Sequence, residues 1–175
     1  MTRVALITGA SSGIGAATAR ALATPDTAIA LHARRNRVGA EAVAGLLQEA
    51  GVNTLIVEGD LAQAGTAARL VGETVARFGR LDIVVSNAGF ADRRLVGELD
   101  RVAWEASLAA MTTAFFELAS VAKPLLIDAG ASGRLIGVSS FADFIPPDYV
   151  TARTHFRAAL KTRNIVPDAH SVSTT

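Results

Sequence analysis

The sequence predicts an α/β fold in which helices cover both faces of a doubly wound parallel sheet. Short apolar runs without polar alternation, such as residues 3–8, are typical of strands buried on both faces. Stretches of helical composition separate these runs, and the first three end at Pro25, Gly51 and Gly79. A chain of 175 residues with 50% hydrophobic residues fits one domain. We expect this domain to span residues 1–163 and residues 164–175 to form a polar tail.

The elements alternate along the whole chain. Apolar, β-branched runs predict strands over residues 3–8, 27–32, 53–57, 82–86 and 134–138. Stretches rich in Ala, Leu and charged residues predict helices over residues 14–24, 38–50, 63–78, about 100–127, and 149–161. This alternation is the pattern of successive βαβ units, which form parallel sheets.

The fourth predicted helix is apolar on nearly every face between residues 108 and 126. A helix of this kind is buried on more than one side. We therefore expect one face to contact the sheet and another to contact a second subunit. A central position within the monomer is the alternative.

Composition excludes several function classes. The 17 basic and 16 acidic residues give a net charge of +1 without a basic stripe, which argues against nucleic acid as a partner. The chain has no cysteine, and His32, His155 and His170 are dispersed, so we predict no metal site. The N-terminal apolar run is too short for a signal sequence, and no other segment approaches transmembrane length in this interpretation. We therefore expect a cytoplasmic protein without a membrane partner.

The turn after the first predicted strand has the features of a phosphate-binding loop. Backbone amides at the start of the following helix can hold a pyrophosphate. Glycines permit the tight turn, avoid a Cβ next to the phosphates and let the helix approach the strand. A turn that needs glycine for backbone reasons alone is the alternative. The residues predicted to bind the cofactor here are Gly9, Ser11, Ser12, Gly13, Ile14 and Gly15.

This TGxxxGIG spelling at residues 8–15, together with Asn87-Ala88-Gly89 after the fourth predicted strand, resembles the short-chain dehydrogenase/reductase family. The resemblance extends over residues 3–153 and includes Asp60-Leu61 after the third strand. It implies a Rossmann-type three-layer α/β/α fold, hydride transfer to or from a carbonyl or alcohol carbon, and a dimer or tetramer. It also implies that Asp60 and Leu61 contact the adenine of the cofactor and that Asn87, Ala88 and Gly89 line the cofactor channel.

Arg34 and Arg35 follow the second predicted strand and bear on the choice of cofactor. A carboxylate at this place would bind the ribose hydroxyls of NAD, whereas arginine suits the 2′-phosphate of NADP. The sequence therefore favours NADP over NAD. Arginines that only solvate a loop are the alternative, and Ser12 adds no positive charge.

Carbonyl reduction needs a proton donor, a hydrogen bond to the carbonyl oxygen and a nearby positive charge. The resemblance assigns the hydrogen bond to Ser140, or to its neighbour Ser139, and the proton transfer to Tyr149. Arg153 stands where the family has lysine, four residues after Tyr149 and so on the same helical face. Tyr149 and Arg153 are also expected to contact the cofactor.

Four departures from the family pattern accompany this resemblance. Met111 stands where the family has a catalytic asparagine, and arginine replaces lysine at position 153. The interval from Ser140 to Tyr149 is short, and the sequence ends early, so the fold is expected to be C-terminally shortened. We predict an NADP(H)-dependent oxidoreductase acting on a ketone or secondary alcohol. The alternatives are a catalytically impaired nucleotide-binding module, serving as a sensor or structural partner, and an incomplete fragment of such an enzyme.

Overall fold

The computed structural model describes residues 3–90, 94 and 98–139. All five strands in this part of the chain are parallel and form one sheet in the order β3-β2-β1-β4-β5. The predicted fold class is therefore confirmed. The strands are β1 (Arg3–Ile7), β2 (Thr27–Ala33), β3 (Asn53–Glu58), β4 (Ile83–Ser86) and β5 (Arg134–Gly137).

Helices cover the sheet on both faces. They are α1 (Gly13–Leu22), α2 (Arg37–Glu49), α3 (Thr66–Phe78), α4 (Arg101–Leu108) and α5 (Ala114–Asp128). Alternate side chains of β1 enter two separate cores: Val4 and Leu6 join α3 and α5, whereas Ala5 and Ile7 join α1 and α2. Strands that are buried on both faces need continuous apolar runs, which explains the pattern seen in the sequence.

The fourth predicted helix is one continuous helical segment with an internal irregularity. A π-helical turn, Ala109–Thr113, joins α4 to α5. The sheet-facing side of α5 is formed by Ala114, Leu118 and Ala122, which are buried. The opposite side leaves Phe116 68% exposed, so the predicted contact with the sheet is confirmed, and the second subunit remains a prediction.

This segment also corrects one statement made from the sequence. Arg101–Asp128 spans 28 residues with a mean hydropathy of 1.3 over its most apolar window, which is long and apolar enough to cross a membrane. The expectation that no segment approaches transmembrane length was therefore wrong. The physical reason is that both sides of this segment are apolar. One side packs on the sheet through Ala114, Leu118 and Ala122, and the other side presents aromatic residues outward.

Asp82 connects three strands at the amino ends of the sheet. Its fully buried carboxylate accepts hydrogen bonds from the Val4 amide at 2.8 Å, from Arg80 at 2.6 and 2.8 Å, and from the Ser132 hydroxyl at 2.8 Å. Its own amide donates to the Val4 carbonyl, and its carbonyl accepts from the Arg134 amide. Burial raises the pKa of Asp82, but these hydrogen bonds and the charge of Arg80 outweigh burial and hold the pKa below its usual value.

The compact unit formed by the described residues ends at Val138. The predicted helix over residues 149–161 and the domain boundary after residue 163 lie outside the described residues. Among the described strands, β3 and β5 form the two edges of the sheet.

Candidate nucleotide-binding site

The carboxyl ends of the strands meet beside β1. The chain leaves β1 towards β2 on one side, and β4 lies on the other side, so the strand order reverses at this point. In open α/β sheets, ligands bind in the crevice at such a reversal. A cavity of about 440 Å³ lies here.

Predicted cofactor residues form most of the cavity wall. The predicted residues on the wall are Gly9, Ser11, Ser12, Ile14, Arg34, Arg35, Asp60, Leu61, Asn87, Ala88 and Gly89. Gly13 and Gly15 belong to the same turn but do not line the cavity. The residues on the wall that we did not predict as site residues are His32, Asn36, Phe90 and Ala110.

Two glycines of the turn have no room for a side chain. Gly9 has φ +64°, and a Cβ on it would lie 3.0 Å from the Cα of Ala88. A Cβ on Gly15 would collide with the carbonyl oxygen of Gly9 and lie 2.6 Å from Nδ2 of Asn87. The roles predicted for a tight turn and for close helix approach are therefore visible in the geometry. We call residues 9–15 the glycine turn.

Thr8 and Asn87 hold the glycine turn against the end of β4. The buried Thr8 hydroxyl accepts hydrogen bonds from the amides of Asn87 at 2.8 Å and Ala88 at 2.9 Å. Asn87 Nδ2 in return donates to the Thr8 carbonyl at 2.9 Å and to the Gly9 carbonyl at 3.3 Å. This side-chain exchange fixes the distance between two walls of the cavity.

The start of α1 is open to an anion. Ser12 is the N-cap, and its side chain makes no capping hydrogen bond. The first amides of a helix have no partner within the helix, and the helix dipole makes this end positive. Because Ser12 and Ile14 line the cavity, this end of α1 suits a phosphate group.

Arg34 and Arg35 form the cavity wall after β2. Arg34 NH1 lies 4.0 Å from the Asp60 carboxylate, and the Arg34 side chain is half-exposed. Asp60 also accepts a hydrogen bond from the Ala62 amide at 3.0 Å. Within the described ranges, Arg35 has no ion-pair partner, so its charge is available to a ligand.

Met111 lies beside the opposite end of the cavity. A Cβ on Gly89 would come within 3.2 Å of the Met111 sulfur, so the thioether covers this glycine. Met111 belongs to the π-helical turn, a local form that recurs at functional sites. A thioether is only a weak acceptor and has no amide hydrogen. Met111 therefore cannot make the hydrogen bonds of the asparagine that the family pattern has at this position.

The proposed catalytic residues Ser140, Tyr149 and Arg153 lie outside the described residues. Ser139 is the last described residue and is exposed. In the described part of the chain, no group of three or more His, Cys, Asp or Glu side chains could hold a metal ion.

A parallel sheet with a glycine turn at its strand reversal is typical of dinucleotide-binding proteins. The family model of the short chain dehydrogenases matches residues 3–152, and the chain belongs to this family.

Curated relatives carry dehydrogenase and reductase names. The chain is 39% identical over 141 residues to cis-4-hydroxycyclohexanecarboxylate dehydrogenase of Sinomonas cyclohexanicum, covering 79% of this chain and 55% of that protein. It is 31% identical over 140 residues to 3-oxoacyl-[acyl-carrier-protein] reductase of a Synechocystis strain, covering 80% and 56%. The chain thus matches about half the length of these relatives.

Solved structures have the same fold. An alcohol dehydrogenase from the archaeon Thermococcus sibiricus, complexed with 5-hydroxy-NADP, matches with a TM-score of 0.75 and 32% identity, over 94% of this chain and 71% of that one. A 3-oxoacyl (acyl-carrier-protein) reductase from Agrobacterium tumefaciens with NADP bound matches with a TM-score of 0.74 and 28% identity, over 92% and 61%.

Proposed function

We propose that the chain binds NADP(H) and that the protein transfers a hydride between the nicotinamide and a ketone or secondary alcohol. The observation that carries the proposal is the cavity at the strand reversal, whose wall includes the glycine turn, Arg34 and Arg35. The nicotinamide cofactor supplies the hydride donor or acceptor when bound. NAD is the less favoured cofactor.

The cavity fits a dinucleotide by shape and by charge. The backbone amides at the start of α1 are free for the pyrophosphate, and any side chain at Gly9 would enter the narrow gap between the glycine turn and Ala88. Asp60, Leu61 and the two arginines form the wall after β2 and β3, and Asn87, Ala88 and Gly89 form the wall after β4. We assign the adenosine half to the first wall and the nicotinamide half to the second.

The arginines favour a ligand that carries a 2′-phosphate. Arg34 is held near Asp60, and Arg35 has no ion-pair partner in the described part of the chain. Arginine binds phosphate through paired hydrogen bonds, and no carboxylate directly follows β2 to repel it. The NADP-bound relatives support this assignment.

For the chemical step, we propose the roles that the family resemblance implies. Ser140 holds the substrate oxygen, Tyr149 transfers the proton, and Arg153 supplies the positive charge that lowers the pKa of the phenol. The same proposal includes a cytoplasmic location and a homodimer or homotetramer. The exposed side of α4 and α5 is the surface that we assign to the subunit contact.

A calorimetric titration with NADPH and, separately, with NADH tests the choice of cofactor. We expect NADPH to bind at least about tenfold more tightly, which corresponds to about 1.4 kcal/mol. Arg35→Ala should remove most of this difference and leave NADH binding unchanged. Arg20→Ala, on the last turn of α1, is the matched control and should keep it. Equal affinity for both nucleotides in the unchanged chain would contradict the NADP assignment.

Turnover on a panel of ketones and secondary alcohols tests the reaction. Tyr149→Phe should abolish turnover and leave the dissociation constant of NADPH nearly unchanged, because the phenol proton is needed only for the chemical step. Loss of both would contradict the role of Tyr149. Tight NADPH binding without turnover in the unchanged chain would identify the impaired binding module instead.

A further inference from the structure

His32 is a buried imidazole in the wall of the nucleotide cavity. It stands near the carboxyl end of β2, where only 1% of its surface is exposed. Its backbone carbonyl accepts a hydrogen bond from the Ala10 amide at 2.8 Å, so β2 already contacts the glycine turn at this residue. The family motifs described above assign no role to a histidine at this position.

Both ring nitrogens of His32 have partners in neighbouring loops. The Gly9 amide lies 3.2 Å from Nδ1 and donates to it, so Nδ1 carries no hydrogen. Nε2 lies 2.9 Å from the carbonyl oxygen of Gly59, which can only accept, so Nε2 carries the hydrogen. Together the two contacts select one form of the ring, which is neutral and protonated at Nε2.

Burial supports the same form. Burial lowers the pKa of His32, and the hydrogen bond to Gly59 only partly offsets this effect. Arg69 of α3 lowers the pKa further, and Asp60 of the loop after β3 raises it. The neighbouring charges are Arg34, which lies near Asp60, and Glu58 and Glu73, which pair with Arg37 and Arg69. Imidazole is the one group in this set whose charge ordinarily changes between pH 5 and 8.

We propose that His32 is a positioning residue for the nucleotide: its neutral ring holds the Gly9 amide in the glycine turn and ties this turn to the Gly59-Asp60 wall. The inference rests on the proposed function, because it concerns the same cavity. A protonated ring cannot accept from the Gly9 amide. Acid therefore breaks the bond between the His32 ring and the Gly9 amide, while the backbone bond from Ala10 to His32 remains, and weakens nucleotide binding.

Amide side chains at position 32 allow the contacts of the ring with Gly9 and with Gly59 to be tested separately. The Oδ1 atom of asparagine corresponds to Nδ1 of histidine, so His32→Asn keeps an acceptor for Gly9 and loses the donor for Gly59. The Nε2 atom of glutamine corresponds to Nε2 of histidine, so His32→Gln keeps the donor for Gly59 and loses the acceptor for Gly9. His32→Phe keeps the ring shape and loses both contacts.

The first test is a measurement of the ring itself. The ¹⁵N shifts of the His32 ring, assigned by comparison with His32→Gln, report the tautomer and the protonation without any nucleotide. We expect the Nε2–H tautomer and protonation below the ordinary value of 6.5. An Nδ1–H tautomer, or a ring that is charged at pH 6.5, would overturn the inference.

The second test is the dissociation constant of NADPH at constant ionic strength, at pH 7.5 and at a pH below the pKa of the His32 ring found in the first test. At pH 7.5 we expect His32→Phe to bind about tenfold more weakly than the unchanged chain, His32→Gln nearly as weakly, and His32→Asn closer to the unchanged chain. Lowering the pH should weaken binding more in the unchanged chain than in His32→Phe. Titration of the NADPH phosphate is common to both proteins and cancels in this comparison.

The outcomes separate the inference from the proposed function. If the unchanged chain binds NADPH with the same pH dependence as a folded His32→Phe, the positioning role is wrong and the proposed function stands. If the unchanged chain binds neither NADPH nor NADH at pH 7.5, the proposed function fails, and the ring measurement still decides the state of His32. If His32→Phe does not fold, the comparison is made with His32→Asn, which does not titrate either.

Discussion

The hydroxyl group of Thr8 accepts hydrogen bonds from the backbone amides of both Asn87 and Ala88. It thereby joins the glycine turn to the end of β4. Valine has the same shape as threonine and no acceptor, so it would leave two partly buried amides without a partner. An amide that is fully buried without a partner lowers the free energy of unfolding by about 1–3 kcal/mol. The effect of one side chain on this site is therefore larger than the energy of an average hydrogen bond.

We expect Thr8→Val to lower the free energy of unfolding by about 2 kcal/mol and to weaken NADPH binding. Thr74→Val is the matched control, because buried Thr74 only donates to the Leu70 carbonyl within its own helix. Loss of the Thr74 hydroxyl should lower the free energy of unfolding by less than about 1 kcal/mol and leave NADPH binding unchanged. Urea unfolding and calorimetry measure both effects, and equal effects of the two variants would contradict this account.

The lowered pKa of Asp82 predicts that the free energy of unfolding depends on pH. Its pKa in the folded chain lies below the ordinary value of 3.8, so the unfolded chain binds more protons as the pH falls past that value. The contribution of Asp82 is therefore fully present above pH 3.8 and is lost as the pH falls through the folded-state pKa. The difference in unfolding free energy between the unchanged chain and Asp82→Asn should be constant near neutral pH and narrow in acid. A difference that does not change with pH would show that charge is not involved.

At the scale of elements, the segment from α4 to α5 has two unlike sides. Ala114, Leu118 and Ala122 let α5 approach the sheet closely, whereas Phe116 on the other side of α5 and Trp104 in α4 are left exposed. Exposed aromatic residues of this size on a helix that already has a packed face indicate a contact surface. The same arrangement accounts for a transmembrane-like composition in a helix that packs on a sheet.

We expect Phe116→Glu to reduce the oligomeric state and to change the stability of the folded monomer by no more than about 0.5 kcal/mol, because the side chain is largely exposed. Val38→Glu, on the exposed side of α2, is the control for an added charge at an exposed apolar position. Light scattering coupled to size exclusion measures the mass of each variant. An unchanged mass for Phe116→Glu would place the subunit contact elsewhere.

At the scale of the whole molecule, the positive and negative charges nearly cancel, and two arginines lie in the wall of the site. A net charge of +1 gives little long-range attraction for an anionic nucleotide, so any preference for NADPH depends on Arg34 and Arg35. Interactions of half-exposed charges are screened by salt, and the Debye length falls from about 30 Å at about 0.01 M to about 3 Å at about 1 M.

The ratio of the NADH to the NADPH dissociation constant should therefore fall by several-fold as NaCl is raised over this range. NADH serves as the internal control, since both nucleotides share the pyrophosphate and differ at the 2′ position. Fluorescence titration of the bound nucleotide gives both constants. A ratio that is independent of salt would mean that the preference has a steric cause.

The fold and the glycine-turn side of the site could be predicted because their sequence signals lie in short, continuous segments. The glycine turn consists of seven consecutive residues, and each strand at the site is built mainly of apolar residues. Thr8 and His32 were not predicted as site residues because their partners are distant in sequence: 79 and 80 residues for Thr8, and 23 and 27 for His32. A histidine in an otherwise apolar strand was the available signal for His32. The π-helical turn left no signal, because one widened turn hardly changes the periodicity of an apolar segment.

The bonds between Thr8 and Asn87 also bear on the order in which the chain becomes functional during its synthesis. The two residues lie 79 positions apart, whereas β1, β2 and β3 pair within the first 58 residues. A nascent chain can thus assemble these three strands while β4 is still inside the ribosome. The glycine turn lacks the amides that lock it until Ala88 has emerged from the exit tunnel. Affinity for a nucleotide then arises only after β4 has been synthesised, as a consequence of strand order.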